Sequence, residues 1–467
     1  MNIIELLKNT ARQFPNQIAI VDEYGECSYA SLYAEVCTLQ AQLMKINENK
    51  IKRLGICYGN NRNFIIALFA GVAAGYVVMP IFDELTDSEI DSQLIDNKIH
   101  HFLSSFRGTP LDHNSLFCLE KISESEENEL AYLCDDPVFI RPTSGTTGVS
   151  KGVLLSHKAV HERINAANKT LNLSHKDTVI WVLPMAFHFV VSLVLYIAQG
   201  CKIVVTNGLD GNHLINQIDQ HKGTLLYASP LHIRLLTKAT FNSSMSSIQK
   251  VISTTTAIAK NVCEEFYTRF GIPVSQAYGI IEIGLPLVKT NMLSSDWDSV
   301  GCALPDYEII IVDDMSNTVP TGQMGHLGIR GVGMFSGYLN PLKKTEEIVQ
   351  NGYFMTGDIA VMNELGEVKI IGRTKSMINV AGNKVFPQEV EFVIEQHPAV
   401  AQVKVFASTH KLVGEIVEAN VVLHTKGEFD SEEIIRFCRT KLASYKVPQR
   451  IHIVDEIQLT KTGKIIR

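Results

Sequence analysis

Close cysteine pairs are missing from this chain. Its nine cysteines are scattered from Cys27 to Cys438 with no C-x-x-C spacing, which excludes a disulfide framework or a thiolate zinc site as its organising feature. Reduced thiols in a cytoplasmic protein are the expectation. Basic charge is also scarce. A net charge of −7 and a pI near 6.1 leave no electrostatic footprint for nucleic acid. Repeats and low-complexity tracts are absent, and no G-x-x-x-x-G-K-[ST] phosphate loop can be placed. An unbroken membrane-spanning run is missing too. Phe64–Phe82 is uncharged and long enough for a hydrocarbon core, but Gly71, Gly75 and Pro80 interrupt it. A buried helix, a stop at Gly75 and a buried strand account for it better, so no stable membrane insertion is expected. Met1–Lys8 has an early acid and helical apolar spacing, and reads as an amphipathic helix rather than a signal peptide.

What is present is a core. Hydrophobic residues make up 46% of the 467 positions and charged residues 19%, enough to bury one large domain and a smaller one. Through the first two-thirds, amphipathic helical segments alternate with short β-branched runs: Gln17–Val21, Arg53–Cys57, Thr178–Leu183 and Lys202–Val205. Runs apolar on both faces suit parallel strands covered by helices. From about Gly301 the texture changes to antiparallel β-structure, with Tyr307–Asp313 as a strand and tight turns expected at Gly322, Gly325, Gly328, Gly331 and Gly333. A boundary is expected near Gly372–Ser376, followed by an α/β unit of about ninety residues.

The segment Thr143-Ser-Gly-Thr-Thr-Gly-Val-Ser-Lys-Gly152 concentrates glycines, hydroxyls and one lysine. Small residues let a backbone close around an anion, while hydroxyls, N–H groups and an ammonium neutralise it. Alone, the same composition also describes a surface turn. Its company is more specific. Gln276-Ala-Tyr-Gly-Ile-Ile-Glu282, Gly352-Tyr-Phe-Met-Thr-Gly-Asp358, Gly372-Arg-Thr-Lys375, Ala381-Gly-Asn-Lys-Val-Phe-Pro387 and Gly463-Lys464 follow in order. Together these closely resemble the adenylate-forming superfamily of acyl- and aryl-CoA synthetases, adenylation domains and luciferases. The resemblance runs from Ser28–Tyr33 to Lys464.

That resemblance implies a large N-terminal α/β domain with a β-barrel subdomain (1–374) and a small, mobile C-terminal α+β domain (375–467). It implies a phosphate loop in which Thr143, Ser144, Gly145, Thr146, Thr147, Gly148 and Lys151 hold ATP, with Thr147 and Glu282 serving Mg²⁺. Tyr278 and Gly279 would lie by adenine, Asp358 would take both ribose hydroxyls, and Arg373 would reach ribose or phosphate. Lys464 is the expected catalytic cation, brought in by the C-terminal domain. Lys375 falls at the hinge, and Gly382 would line the tunnel for the thiol of CoA or of a carrier protein's phosphopantetheine.

Leu183–His188 resembles the segment lining the acyl pocket. His188 stands where amino-acid-activating members carry an aspartate, and it looks like the histidine of acyl- and aryl-CoA ligases. Phe187, Phe189, Val190 and Val191 beside it imply an apolar acid. Two departures stand out. Ser253-Thr-Thr-Thr-Ala257 replaces the usual Ser-Gly-Gly-Ala-Pro, so Thr255 and Thr256 put side chains beside the acyl and adenine sites and narrow the pocket. Ile281 replaces a threonine and removes a donor to the reacting oxygens, which calls for a slower enzyme or a compensating hydroxyl from Thr254–Thr256. The expected function is activation of a small apolar or aromatic carboxylic acid as its acyl-adenylate, then transfer to a thiol, by a stand-alone ligase with a separate carrier protein as one conceivable partner. Amino-acid adenylation is the second enzymatic reading. A nucleotide-binding regulator with decayed catalysis is the reading from another class.

Overall fold

The structure is a computed structural model, and it describes residues 2–47, 52–112, 115–123, 129–143, 151–206, 209–289, 298–380, 383–410, 414–425 and 429–458. Of the site residues inferred from sequence, Ser144, Gly145, Thr146, Thr147, Gly148, Gly382 and Lys464 lie outside these.

The β-branched runs become parallel strands. Thr178–Trp181, Lys202–Val205, Leu225–Ala228, Lys250–Ser253 and Val274–Ile280 pair in parallel within a nine-stranded sheet whose far side takes in Ile18–Asp22. A second nine-stranded sheet has a parallel centre of Lys52–Cys57, Tyr76–Ile81, His101–Ser104 and Pro137–Arg141. One hydrophobic core contains side chains of both sheets and of the helices near them. The helix Arg62–Ala73 shows why the long apolar run is no membrane span. Asn61 caps it by accepting from the Asn63 N–H, and Phe64 to Val72 are all buried inside protein. Gly75, at φ +80°, then turns the chain into the strand Tyr76–Ile81. Among the described residues no helix is long and apolar enough to cross a membrane.

Where a β-barrel subdomain was expected, the described residues give a four-stranded antiparallel sheet of Tyr307–Val312, Met324–Gly331, Phe354–Met362 and Val368–Arg373. The glycines here correct one expectation. Gly322 and Gly333 do sit in turns with positive φ, but Gly325, Gly328 and Gly331 lie inside the strand Met324–Gly331. They are needed there for close approach: a Cβ on Gly331 would fall 2.3 Å from the Tyr307 ring, and one on Gly325 would fall 2.5 Å from the Val312 carbonyl oxygen.

A single 3₁₀ turn, Thr374–Ser376, leads from this sheet into the C-terminal unit. That unit has a sheet of Ile378–Val380, Asn383–Val385, Val400–His410, Gly414–Leu423 and Arg450–Ile453, with helices Pro387–Ile394 and Ser431–Arg439 over its own hydrophobic core.

Candidate active site

Parallel strands deliver their following loops to one edge of a sheet, the usual place for a ligand in open α/β folds. Four such ends meet here. Trp181 pairs with Tyr227, Ala228 with Ser253, and Ser253 with Gln276. The segments that follow are Leu183–His188, Ser229, Thr254–Thr256 and Tyr278–Glu282, so the sheet gathers the acyl segment, the threonine run and the Tyr-Gly motif.

At the corner expected to take the nucleotide, Tyr278, Asp358 and Arg373 form one hydrogen-bonded cluster. Asp358 and Arg373 are cross-strand neighbours, and Arg373 Nε donates to Asp358 Oδ1 at 2.9 Å. Tyr278 Oη donates to the other oxygen, Oδ2, at 2.5 Å. The Asp358 main-chain N–H donates to Thr356 Oγ1 at 3.0 Å, bracing the bulge at Gly357 that precedes the carboxylate. Burial, then the Asp358 charge, raises the Tyr278 phenol well above its ordinary pKa, so it stays a neutral donor. A carboxylate has four lone-pair directions, so two protein donors leave acceptor capacity for a diol. Gly279 is obligatory beside Tyr278, because a Cβ there would lie 2.7 Å from the Gly284 carbonyl oxygen.

Glu282 is held from both sides. Tyr338 Oη donates to its Oε1 at 2.9 Å. Behind it, the buried Arg163 donates through Nη2 to the Glu282 carbonyl (3.0 Å), through Nη1 to the Ile281 carbonyl (2.8 Å) and through Nε to the Gly333 carbonyl (2.6 Å). Ile281, noted in the sequence for the donor it lacks, thus has a main-chain role that any residue could fill. Burial pulls the Arg163 pKa down to about 10, which leaves it cationic at neutral pH. Sequence reasoning missed Tyr338 and Arg163. Tyr338 gave no signal, but Arg163 did, because it shares the buried stripe of its helix with Val160, Ile164 and Ala167.

The glycine-threonine segment connects two antiparallel strands, Pro137–Arg141 and Val153–Ser156, in which Arg141 faces Val153. Its base is closed by the Lys151 N–H donating to the Thr143 carbonyl at 3.3 Å. Lys151 Nζ lies 4.7 Å from the centroid of the Tyr338 ring, the ring whose hydroxyl holds Glu282. Arg141 enters the loop with its guanidinium 4.5 Å from the Phe187 ring centroid, tying the hairpin to the acyl segment. Burial pushes Arg141 down to about 10 while the Glu282 carboxylate pulls it up. The loop base, Glu282 and the acyl segment therefore share one cationic neighbourhood.

The acyl edge is built differently. His188 ends its segment just before a π-helical turn, Phe189–Leu193, a distortion that often marks functional sites. Its ring meets Tyr227 edge-on at 6.4 Å between centroids. Burial raises the Tyr227 phenol, and the Thr254 hydroxyl beside it works against that rise. Phe189 and Val190, read as pocket lining, are buried core residues, and Phe189 packs edge-on against Phe139. Thr256 is exposed. Thr255 has φ +78°, a left-handed backbone that costs a β-branched residue about 1–3 kcal/mol. Its Oγ1 is buried and finds no hydrogen-bond partner among the described residues, and the same holds for Ser253 Oγ.

Mg²⁺ fits this donor set. Among the described residues no group of three or more His, Cys, Asp or Glu gathers into a cage, and Mg²⁺ is ordinarily held by one or two carboxylates plus substrate phosphates. Glu282 is such a carboxylate.

Comparison with known proteins names the class. Residues 7–339 match the family of AMP-binding enzymes, and residues 389–464 match the AMP-binding enzyme C-terminal domain. The chain belongs to this family of AMP-binding enzymes. Relatives include a long-chain-fatty-acid–CoA ligase of Escherichia coli, 34% identical over 343 residues, which are 71% of this chain and 61% of that protein. In that match the chain spans less than two-thirds of the relative's length. The enzyme of the same description from Yersinia pestis is 26% identical over 525 aligned positions, 100% of this chain and 93% of that one. A 2-succinylbenzoate–CoA ligase of Bacillus cereus is 26% identical across 97% of this chain and 95% of its own. Among solved structures, ATP-bound MatB from Rhodopseudomonas palustris shares the fold with a TM-score of 0.86 at 23% identity, covering 100% of this chain and 97% of that chain. The o-succinylbenzoate CoA synthetase of Bacillus subtilis, solved with its acyl-adenylate, gives 0.84 at 23% identity over 98% and 96%. The AMP-binding assignment and the two-part α/β architecture expected from sequence are borne out.

Proposed function

We propose that this chain activates a small apolar or aromatic carboxylic acid with ATP and Mg²⁺, and passes the acyl group to the thiol of CoA or of a carrier protein's phosphopantetheine. The observation that carries the reading is the pair of clusters at the two ends of the Tyr278–Glu282 segment: Tyr278–Asp358–Arg373 and Lys151–Tyr338–Glu282. One is a fixed carboxylate with acceptor capacity for a ribose, and the other a carboxylate and an ammonium placed for a metal-bound polyphosphate. The curated relatives support the same chemistry, since their descriptions join carboxylic acids to CoA.

In the first step the acid's carboxylate oxygen attacks the α-phosphorus of ATP. The bond to the bridging β-phosphate oxygen breaks, and pyrophosphate leaves with that electron pair. Lys151 and the loop from Thr143 hold the departing phosphates, and Asp358 and Arg373 fix the ribose end. Glu282 would hold Mg²⁺ together with the phosphates, and the metal would supply positive charge to the phosphate oxygens when bound. Lys464, in the C-terminal unit, neutralises charge between carboxylate and α-phosphate. In the second step the thiol sulfur attacks the acyl carbon and loses its proton, and AMP departs. We place the division between the two parts at 374/375, with Lys375 at the hinge and Gly382 in the thiol passage, and the reaction in the cytoplasm.

ATP–pyrophosphate exchange with a panel of acids tests this. Small and aromatic acids should support exchange, and Lys464→Ala should abolish it while still converting supplied acyl-adenylate to thioester. Faster exchange with palmitate overturns the size assignment. Exchange with amino acids alone overturns the substrate class.

A further inference from the structure

The run Thr254–Thr256 offers three hydroxyls, and the structure separates them. The Thr254 hydroxyl sits by Tyr227, and Thr256 is exposed. Thr255 alone combines a buried, unpartnered Oγ1 with a left-handed backbone at φ +78°. It also follows the reaction-side end of a strand: Ser253, the last residue of Lys250–Ser253, pairs with Gln276 of the parallel strand that carries Tyr278, and Thr255 lies in the bend two residues further on. At the end of the paired strand, the Tyr278–Glu282 segment runs Gly279, Ile280, Ile281 between its two partnered side chains, and none of these three carries a side-chain donor. An adenylating centre gathers negative charge between a carboxylate and a phosphate, and a water-poor site needs fixed donors aimed at that charge.

Building on the function proposed above, we infer that Thr255 is a catalytic residue whose hydroxyl donates to an anionic oxygen of the reacting carboxylate–phosphate pair, the task that the aliphatic Ile281 cannot perform. A strained backbone bearing an orphaned donor at the reaction edge is then explained. Glycine would relieve the strain but remove the donor, and serine would keep the donor without the β-branch.

The test sets stability against rate in three variants of the full chain. Thr255→Gly should melt at the same temperature or higher, yet lose about 10- to 100-fold in the kcat of pyrophosphate exchange, the scale of one charge-assisted hydrogen bond. Its KM for ATP should change little. Thr255→Ser should keep exchange within about threefold of the parent. In the Thr255→Gly background, Ile281→Thr should recover most of the lost rate, because it returns a hydroxyl to the turn that follows the neighbouring strand Val274–Ile280. Undiminished kcat in Thr255→Gly overturns the inference. Equal damage in Thr255→Ser also overturns it, since volume rather than the hydroxyl would then matter. No recovery by Ile281→Thr overturns the pairing of the two positions. If the parent chain exchanges with no acid at all, it is the proposed function that fails, which is a separate result from any of these.

Discussion

The nucleotide corner and the acyl edge lie along the same sheet end but are prepared in opposite ways. At the corner, Asp358 is already gripped by Tyr278 and Arg373, and Glu282 by Tyr338 and by Arg163 through its backbone. At the edge, Thr255 and Ser253 keep buried hydroxyls without partners, and Thr255 holds a backbone shape better suited to glycine. The first arrangement is fixed by its own hydrogen bonds; under the proposed function it would hold the nucleotide, which is the same in every turnover. The second would leave donors for the reacting oxygens. On that reading, holding the nucleotide and serving the reaction fall to separate groups of side chains.

The largest effect should come from breaking the corner. Asp358→Ala strands the Tyr278 hydroxyl and the Arg373 guanidinium and removes two charge-assisted acceptors. Exchange should fall by about 10²- to 10³-fold, read as kcat/KM for ATP. If Asp358→Ala exchanges at the parent rate, the corner is not where nucleotide binds. Tyr338→Phe is gentler, because it removes one hydrogen bond to Glu282 and keeps the ring beneath Lys151. About a tenfold rise in the Mg·ATP concentration needed for half-maximal exchange is expected. An effect confined to the acid's KM would move Glu282 across to the acyl side of the comparison.

The smallest effect lies under the acyl edge and depends on pH. Burial lowers the His232 pKa from 6.5 to about 4, its Nδ1 in contact with Ser229 Oγ, and lowers His157 equally far. Between those values the unfolded chain takes up protons that the folded chain refuses. The histidines' contribution to stability should therefore fall as pH drops from about 6.5 to about 4 and level off below, by up to about 3 kcal/mol for His232 and less for the more exposed His157. Thermal denaturation across this range should show the slope, and His232→Asn should reduce it.

Much of this was legible before any coordinates. The β-branched runs declared parallel strands, and Tyr278, Glu282, Asp358 and Arg373 declared themselves because each stands inside a contiguous motif. What stayed hidden depends on contacts between distant segments. Tyr338 matters because its short strand pairs with Val153–Ser156 and sets its ring beneath the Lys151 ammonium, and no local pattern encodes that pairing. Gly325, Gly328 and Gly331 looked like turns because glycine signals both bends and tight strand packing, and only the Tyr307 ring and the Val312 carbonyl distinguish the two. The isolation of Thr255 Oγ1 was equally invisible, since an orphaned atom is defined by what surrounds it.

Arg163 carries a consequence for anyone who wishes to divide this protein. Its donors sit in the helix His157–Leu171, while the three carbonyls they hold belong to Ile281, Glu282 and Gly333. A chain cut anywhere from 172 to 280 therefore leaves a cation on one fragment and all of its acceptors on the other. The two pieces would carry matched halves of a buried connector, and the carboxylate at 282 would come into position only when they rejoin.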